Sequence, residues 1–211
     1  MSTSSAAPRV RRSLPAWLLE GIFIVVSVLL GFAVAQYGEH QNNRELAMRA
    51  LTSLQAEIEH NRAVLAPLVP IHRAWVQALD RADTSNSQRS AFDIFFAQRP
   101  RLPRGTPSPF AFLRRNAWDA ALSGGALRFI DYDVAADLAE IYRVQEIAVD
   151  NVDRLAKGPL SAAATFDPAS RAASVRLLWL TLLDIESAEE ILVNLYEKHL
   201  PSIRSAANAR R

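Results

Sequence analysis

Residues 21–35 read Gly-Ile-Phe-Ile-Val-Val-Ser-Val-Leu-Leu-Gly-Phe-Ala-Val-Ala, an uncharged apolar run near the start of the chain. Extended back to Trp17, the run is about 19 residues long, close to the roughly 20 that a helix needs to cross a bilayer. Trp17 and Tyr37 flank the run, and aromatic rings of this kind favour the headgroup layer. The sequence therefore predicts a single transmembrane helix over residues 14–37.

The flanking charges predict the orientation of this helix. Three arginines precede it and two follow it: Arg9, Arg11 and Arg12 before, Arg44 and Arg49 after. Because basic residues are retained on the cytoplasmic side, this bias favours a cytoplasmic N-terminus. We therefore expect a cytoplasmic tail (1–13), an anchor in the bacterial inner membrane, and a periplasmic domain (38–200).

A cleaved signal peptide is the alternative interpretation of the same run. Ala33-Val34-Ala35 before Gln36 fits the small-x-small cleavage pattern, although the run is long for a signal peptide. Both interpretations export the domain. The chain has no cysteine, which is compatible with an oxidising compartment.

One face of the predicted span carries small residues. It comprises Glu20, Ile24, Ser27, Gly31 and Ala35, which recur at steps of three or four residues. Small residues at this spacing let two membrane helices approach closely, so the face predicts a homodimer. The alternative is that such residues are simply common in membrane helices. For Glu20 two roles stay open: extension to the headgroups, or a paired or functional carboxyl.

The charge of the chain does not indicate a nucleic-acid partner. Its formal net charge is +2, and only Lys157 and Lys198 of its 24 basic residues are lysines. An excess of arginine over lysine in an alanine-rich chain is typical of the base composition of the genome and does not by itself indicate a basic binding face. The sequence contains no nucleic-acid-binding motif, and an exported domain would not meet nucleic acid.

Arginines and acids are separated along the chain. Seven arginines and two aspartates lie between residues 84 and 130, whereas 13 acids and six bases lie between residues 131 and 200. We expect the arginines, with Arg101 and Arg104 among them, to pair with the acidic helices. The alternative is a basic collar on anionic lipid headgroups.

Apolar residues recur at helical spacing through the exported part. The pattern and its proline and glycine breaks predict helices over 45–65, 71–82, 91–98, 110–122, 131–157 and 167–199, with an irregular Pro/Arg-rich segment at 98–109 and a flexible tail at 201–211. No alternating β pattern is present. The predicted fold is all-α: the transmembrane helix followed by an antiparallel bundle of about four main helices.

Two stretches carry short patterns that cover about half the chain. The first runs from Arg12-x-Leu14 through Leu18-Leu19-Glu20-Gly21 to Ala50-Leu51-x-Ser53-Leu54-x-x-Glu57-Ile58-x-x-Asn61, and the second from Trp118-Asp119-Ala120-Ala121 through Gly125-Ala126-Leu127 to Asp131-Tyr132 and Tyr142. They resemble a family of uncharacterised bacterial single-span membrane proteins. The resemblance implies an uncut anchor and an exported helical domain of unknown function, and it implies no activity.

No pattern predicts catalysis, a metal or a cofactor. Glu57-x-x-His60 is half of a di-iron motif whose second half is missing, so we interpret these two residues as solvated. The acidic sets Asp133, Asp137, Glu140 and Glu186, Glu189, Glu190 are interpreted as wet outer faces. Ser123-Gly124-Gly125 does not match the Gly-x-Ser-x-Gly motif that surrounds the nucleophile of many serine hydrolases. We therefore expect a protein that is not an enzyme.

Two functions remain. The leading one is interaction with itself or with an unidentified envelope protein, as a scaffold. The alternative is a ligand-sensing or small-molecule-binding domain with a pocket between helices. The residues that would contact a ligand or partner are Phe92, Phe95, Phe96, Trp118, Arg101 and Arg104. A structural role in the core is the competing interpretation of Trp118.

Overall fold

A computed structural model describes residues 16–85, 88–102, 105 and 108–208, without the side chains of residues 16–19 and 22. These described residues form helices and no strand, which confirms the all-α prediction. The helices are α1 (Ala16–Leu65), α2 (Val69–Asp80), α3 (Ala91–Ala97), α4 (Asn116–Ser123), α5 (Tyr132–Lys157), α6 (Ala163–Phe166) and α7 (Arg171–Asn208), with 3-10 turns at Ala126–Phe129 and Pro168–Ser170.

The chain divides into two compact units, one up to Arg44 and one from Glu45. In the first unit, every described side chain from Phe23 to Asn42 is exposed. Within the described residues, α1 is the one helix long and apolar enough to cross a membrane. Its length and composition also suit a signal sequence. The prediction of a long apolar helix near the N-terminus is therefore confirmed, whereas its role as a membrane anchor stays a prediction.

The second unit has two hydrophobic cores, and α7 contributes to both. One core combines α1, α4, α5 and α7, with Leu51, Leu54, Ile58, Leu138, Ile141, Leu192 and Tyr196 among its members. The other combines α2, α3, α5 and α7, with Trp75, Phe95, Leu155, Leu178 and Leu182. Both sets recur every three or four residues along their helices, because only such spacing turns one face toward the interior.

Polar side chains cap the start of three of these segments. Asp131 accepts a hydrogen bond from the amide of Asp133 (3.0 Å) at the start of α5. Ser90 and Asp93 cap each other at the start of α3. Asp167 accepts from the amide of Ala169 (2.9 Å) at the 3-10 turn before α7. Each cap satisfies an amide that has no partner inside its own helix.

The predicted helix over 110–122 is wrong for its first half, since α4 begins at Asn116. Residues 108–115, here called the connecting segment, are not helical. The side chain of Asn61 donates to the carbonyl of Arg114 (2.7 Å) and accepts from its amide (2.8 Å). Gln145 donates to the same carbonyl (2.9 Å). These side-chain amides occupy the backbone groups of Arg114 that a helix would use, so the segment is not helical where α1 and α5 hold it.

The predicted flexible tail is wrong for residues 201–208, because α7 continues through Pro201 to Asn208. Proline inside a helix removes one backbone hydrogen bond. Ile203 and Ala207, fully and almost fully buried, lie in the first core and offset that loss. Residues 209–211 lie outside the described residues.

We predict that Ile203→Ala lowers the free energy of unfolding by about 2–5 kcal/mol, because it leaves a cavity in the core. Ser205→Ala, an exposed position on the same turn of α7, is the matched control and should change stability by less than about 0.5 kcal/mol. Chemical unfolding of both variants measures this. Equal stabilities would mean that residues 201–208 are a tail after all.

Candidate functional site

A buried glutamate–histidine pair joins α7 to α2. Oε2 of Glu189 lies 2.6 Å from Nδ1 of His72, and both side chains are almost completely buried. Nε2 of His72 lies 2.8 Å from the carbonyl oxygen of Pro109. Because a carbonyl only accepts, Nε2 must carry a hydrogen and donate it. Both ring nitrogens of His72 are therefore used within the protein.

This geometry gives the pair one shared proton at the contact between Nδ1 and Oε2. The proton sits either on Glu189, leaving a neutral imidazole, or on His72, leaving a carboxylate and an imidazolium. The pair has no net charge in either form. Burial raises the pKa of Glu189, and the hydrogen bond from His72 opposes that rise in part.

Aromatic rings hold His72 in place. The ring centroid of Phe110 lies 5.3 Å from that of the imidazole, and the centroid of Trp75 lies 6.4 Å from it. Trp75 is itself anchored, since its indole N–H donates to the carbonyl of Phe95 (3.0 Å). The position of His72 thus depends on α2, α3 and the connecting segment together.

Glu189 lines an apolar cleft of about 320 Å³. The connecting segment forms one wall and α5 the other; the lining residues are Leu65, Ser108, Phe110, Ala111, Phe112, Leu113, Ala148, Val149, Val152, Asp153, Ala156 and Glu189. Asp153 is exposed and binds Lys157 (2.7 Å). Ser108 accepts from the amide of Phe110 (3.1 Å). Glu189 is therefore the deeply buried polar group of the cleft.

The predicted wet face on α7 is wrong for Glu189 and Glu186, both buried. Glu186 binds Arg73 (2.8 Å), and the exposed Glu190 binds the same guanidinium (2.7 Å). A signal for Glu189 was present in the sequence. The apolar stripe of α7 steps from Ile185 to Leu192, and position 189 continues the same spacing.

A second buried carboxylate, Glu57, has a structural role. It accepts hydrogen bonds from the amides of Ala117 (2.9 Å) and Trp118 (3.4 Å) and from the hydroxyl of Tyr142 (2.7 Å). It thereby satisfies unpaired amides and the positive end of α4. The solvated interpretation of Glu57 is wrong. Burial and the bond to Glu57 raise the pKa of Tyr142.

The aromatic candidates from the sequence do not meet in one pocket. Trp118 stacks on Tyr142 at 4.7 Å between ring centroids and belongs to the first core, as the structural interpretation expects. Phe95 packs on Trp75 in the second core (4.5 Å). Phe92 contacts Phe96 (4.6 Å) and Phe166 (5.0 Å) nearer the surface.

The expected pairing of arginines with acidic helices occurs at Arg115, which contacts Glu146 of α5 (3.4 Å). Arg101 is exposed, and it forms no ion pair within the part of the chain that is described. Arg104 lies outside the described residues. The alternative of a basic collar on lipid stays untested.

The small face of the apolar helix is exposed. This holds for Glu20, Ser27, Gly31 and Ala35, and Ser27 donates to the carbonyl of Phe23 (2.8 Å). A Cβ atom added at Gly31 would meet nothing within 4 Å. The face is thus available for a second helix, and self-association stays a prediction.

Comparison with known proteins finds no matching family model, no similar curated protein and no similar solved structure. The resemblance to single-span bacterial membrane proteins therefore stays a prediction. Among the described residues, no group of three histidine, aspartate or glutamate side chains is arranged to hold a metal ion.

The shared proton predicts how stability depends on pH. Burial raises the pKa of Glu189, so the folded wild type holds a proton at this carboxyl group at pH values where the unfolded chain has lost it. Glutamine has no side-chain group that titrates in this range. The stability advantage of the wild type over Glu189→Gln should therefore be largest at low pH and should fall, by at most about 1.4 kcal/mol per pH unit, as the pH rises through the raised pKa of Glu189.

Chemical unfolding of the full chain between pH 5 and pH 8 measures this difference. Glu190→Gln, an exposed position on the same helix, is the control and should show no such slope. A stability difference between the wild type and Glu189→Gln that does not change with pH would contradict the shared proton.

Proposed function

We propose that this protein is a membrane-anchored binder of a small apolar or amphiphilic molecule, which occupies the cleft beside Glu189. The observation that carries the proposal is the cleft itself, an apolar space of about 320 Å³ with one deeply buried carboxyl group. Ligand sites are typically apolar concavities of about 300–1,000 Å³ with few polar groups. The cleft is at the small end of that range, which favours a single short chain or ring.

The mouth of the cleft supports an apolar ligand. Phe112 is 80% exposed and Val149 is 45% exposed, and both belong to the lining. Burying such side chains against a ligand contributes about 25 cal/mol per Å² of apolar area removed from water. Phe112 belongs to the connecting segment and Val149 to α5, so one ligand would bridge the two walls.

A ligand that contacts both walls of the cleft would allow the domain to sense that ligand. A ligand that binds only the folded cleft stabilises the arrangement of its walls, by an amount that grows with ligand concentration. The connecting segment is not helical, apart from the carbonyl of Arg115, which accepts from the amide of Asp119 at the start of α4. Side chains of α1, α2 and α5 hold it. Its position is therefore the part of the domain most responsive to occupancy of the cleft.

The membrane part of the proposal rests on the apolar helix and its flanking charges. We propose that α1 anchors the protein in a bacterial inner membrane, with a cytoplasmic N-terminus and an antiparallel helical bundle in the periplasm. The excess of arginines before the apolar run supports this orientation. The sequence favours interaction with an envelope protein, and that interaction stays a prediction. It is compatible with a domain that also binds a ligand.

The absence of cysteine from the chain permits a sharp test. Ala156→Cys places one thiol in the cleft lining, and Ala139→Cys places one at an exposed position of the same helix outside the lining. Decan-1-ol should slow alkylation of the thiol at 156 by N-ethylmaleimide at least fivefold, because the occupied cleft excludes the reagent. Alkylation at 139 should be unaffected. Equal effects at both positions would contradict ligand binding in the cleft.

The same variants report the side of the membrane. A membrane-impermeant maleimide added to intact bacterial cells should label both thiols if the domain is periplasmic. Labelling that requires cell lysis would contradict the proposed topology and leave the cleft experiment intact.

A further inference from the structure

We infer that the polar end of the ligand is an uncharged hydrogen-bond donor, such as a primary alcohol, which donates to Oε1 of Glu189. This inference rests on the proposed function and narrows its ligand class. It follows from which atoms of the Glu189–His72 pair remain available, and from the charge that the pair carries.

The available atom is a carboxyl oxygen. Oε2 of Glu189 is bonded to His72, whereas Oε1 has no hydrogen-bond partner among the described residues. The nitrogens of His72 are bonded to Glu189 and to Pro109, so the imidazole has no N–H left for a ligand. Oε1 accepts a hydrogen bond whether the shared proton sits on Oε2 or on Nδ1. A ligand that forms a hydrogen bond with this pair must therefore donate it.

The charge of the pair disfavours an ionised ligand. An anionic head would place its oxygens against the oxygen of Glu189, and no cationic side chain lines the cleft to compensate. Beside Glu189, a cationic head would be paired only if Glu189 and His72 lost their shared proton, and the carboxylate of Asp153 is already paired with Lys157. Bringing an uncompensated charge into an apolar cleft costs several kcal/mol. An uncharged donor avoids both penalties.

The other polar lining residues fit the same head. The hydroxyl of Ser108 already accepts from the amide of Phe110 and keeps its own O–H to donate. Asp153 lies exposed and is bound to Lys157. An alcohol both donates and accepts, so it matches Glu189 without a change of charge. The apolar walls then take the chain of an amphiphile.

Four probes with ten-carbon chains test the inference on the full chain that carries Ala156→Cys. They are decan-1-ol, decyl methyl ether, decanoate and decylammonium, compared at pH 6 by the concentration that halves the alkylation rate. The Ala139→Cys chain corrects for partition of each probe into detergent or lipid. We expect decan-1-ol to protect at a concentration at least tenfold lower than the other three.

The outcomes separate the inference from the proposed function. If no probe protects the thiol at 156, the proposed function fails. If all four protect equally, the cleft binds chains and the inference about the head is overturned. Protection by decanoate or decylammonium at or below the concentration of decan-1-ol would overturn it as well.

Substitutions of Glu189 in the Ala156→Cys chain give a second readout. Glu189→Gln keeps a carbonyl acceptor, so the tenfold preference for the alcohol over the ether should persist. Glu189→Met removes the acceptor at similar volume, so that preference should fall to about one. A preference that survives Glu189→Met would place the donor's partner elsewhere and overturn the inference, and the wild-type probe series decides the matter if Glu189→Met does not fold.

Discussion

Three side chains, those of Asn61, Gln145 and His72, hold the backbone of the connecting segment, and the rest of the domain depends on those contacts. Asn61 engages both backbone groups of Arg114, and His72 donates to the carbonyl of Pro109. Because these bonds keep residues 108–115 out of a helix, the segment forms a separate wall beside α5. The cleft exists between those walls.

Two buried polar side chains of α1 have the same structural role. Asn61 and Glu57 lie on the inward face of α1, and each bonds to backbone groups near the start of α4. An unpaired buried polar group costs about 1–3 kcal/mol, so these groups specify one arrangement of the chain. Glu189 differs from these two residues, since it lines the cleft and its Oε1 has no hydrogen-bond partner among the described residues. The position of Glu189 on the cleft is why the site is assigned to it.

Sequence patterns predicted most helices because apolar residues spaced by three and four reveal a buried face. They missed the non-helical residues 110–115, since Asn61 reaches that segment from 53 positions earlier in the chain. The sequence pattern predicts that the last helix ends before Pro201, whereas α7 continues through Pro201 and buries Ile203. The spacing of the apolar residues of α7 does indicate that position 189 is buried, but its partner His72 is 117 positions away. The contacts of Asn61 and His72 are long-range, and local periodicity does not encode them.

The most direct measurement is a crystal structure of the full chain with 10-bromodecan-1-ol, whose bromine is located by anomalous scattering. We expect one bromine peak near the exposed ring of Phe112, with the hydroxyl oxygen about 2.5–3.0 Å from Oε1 of Glu189. An empty cleft at saturating probe, or a hydroxyl turned to solvent with the bromine beside Glu189, would contradict it.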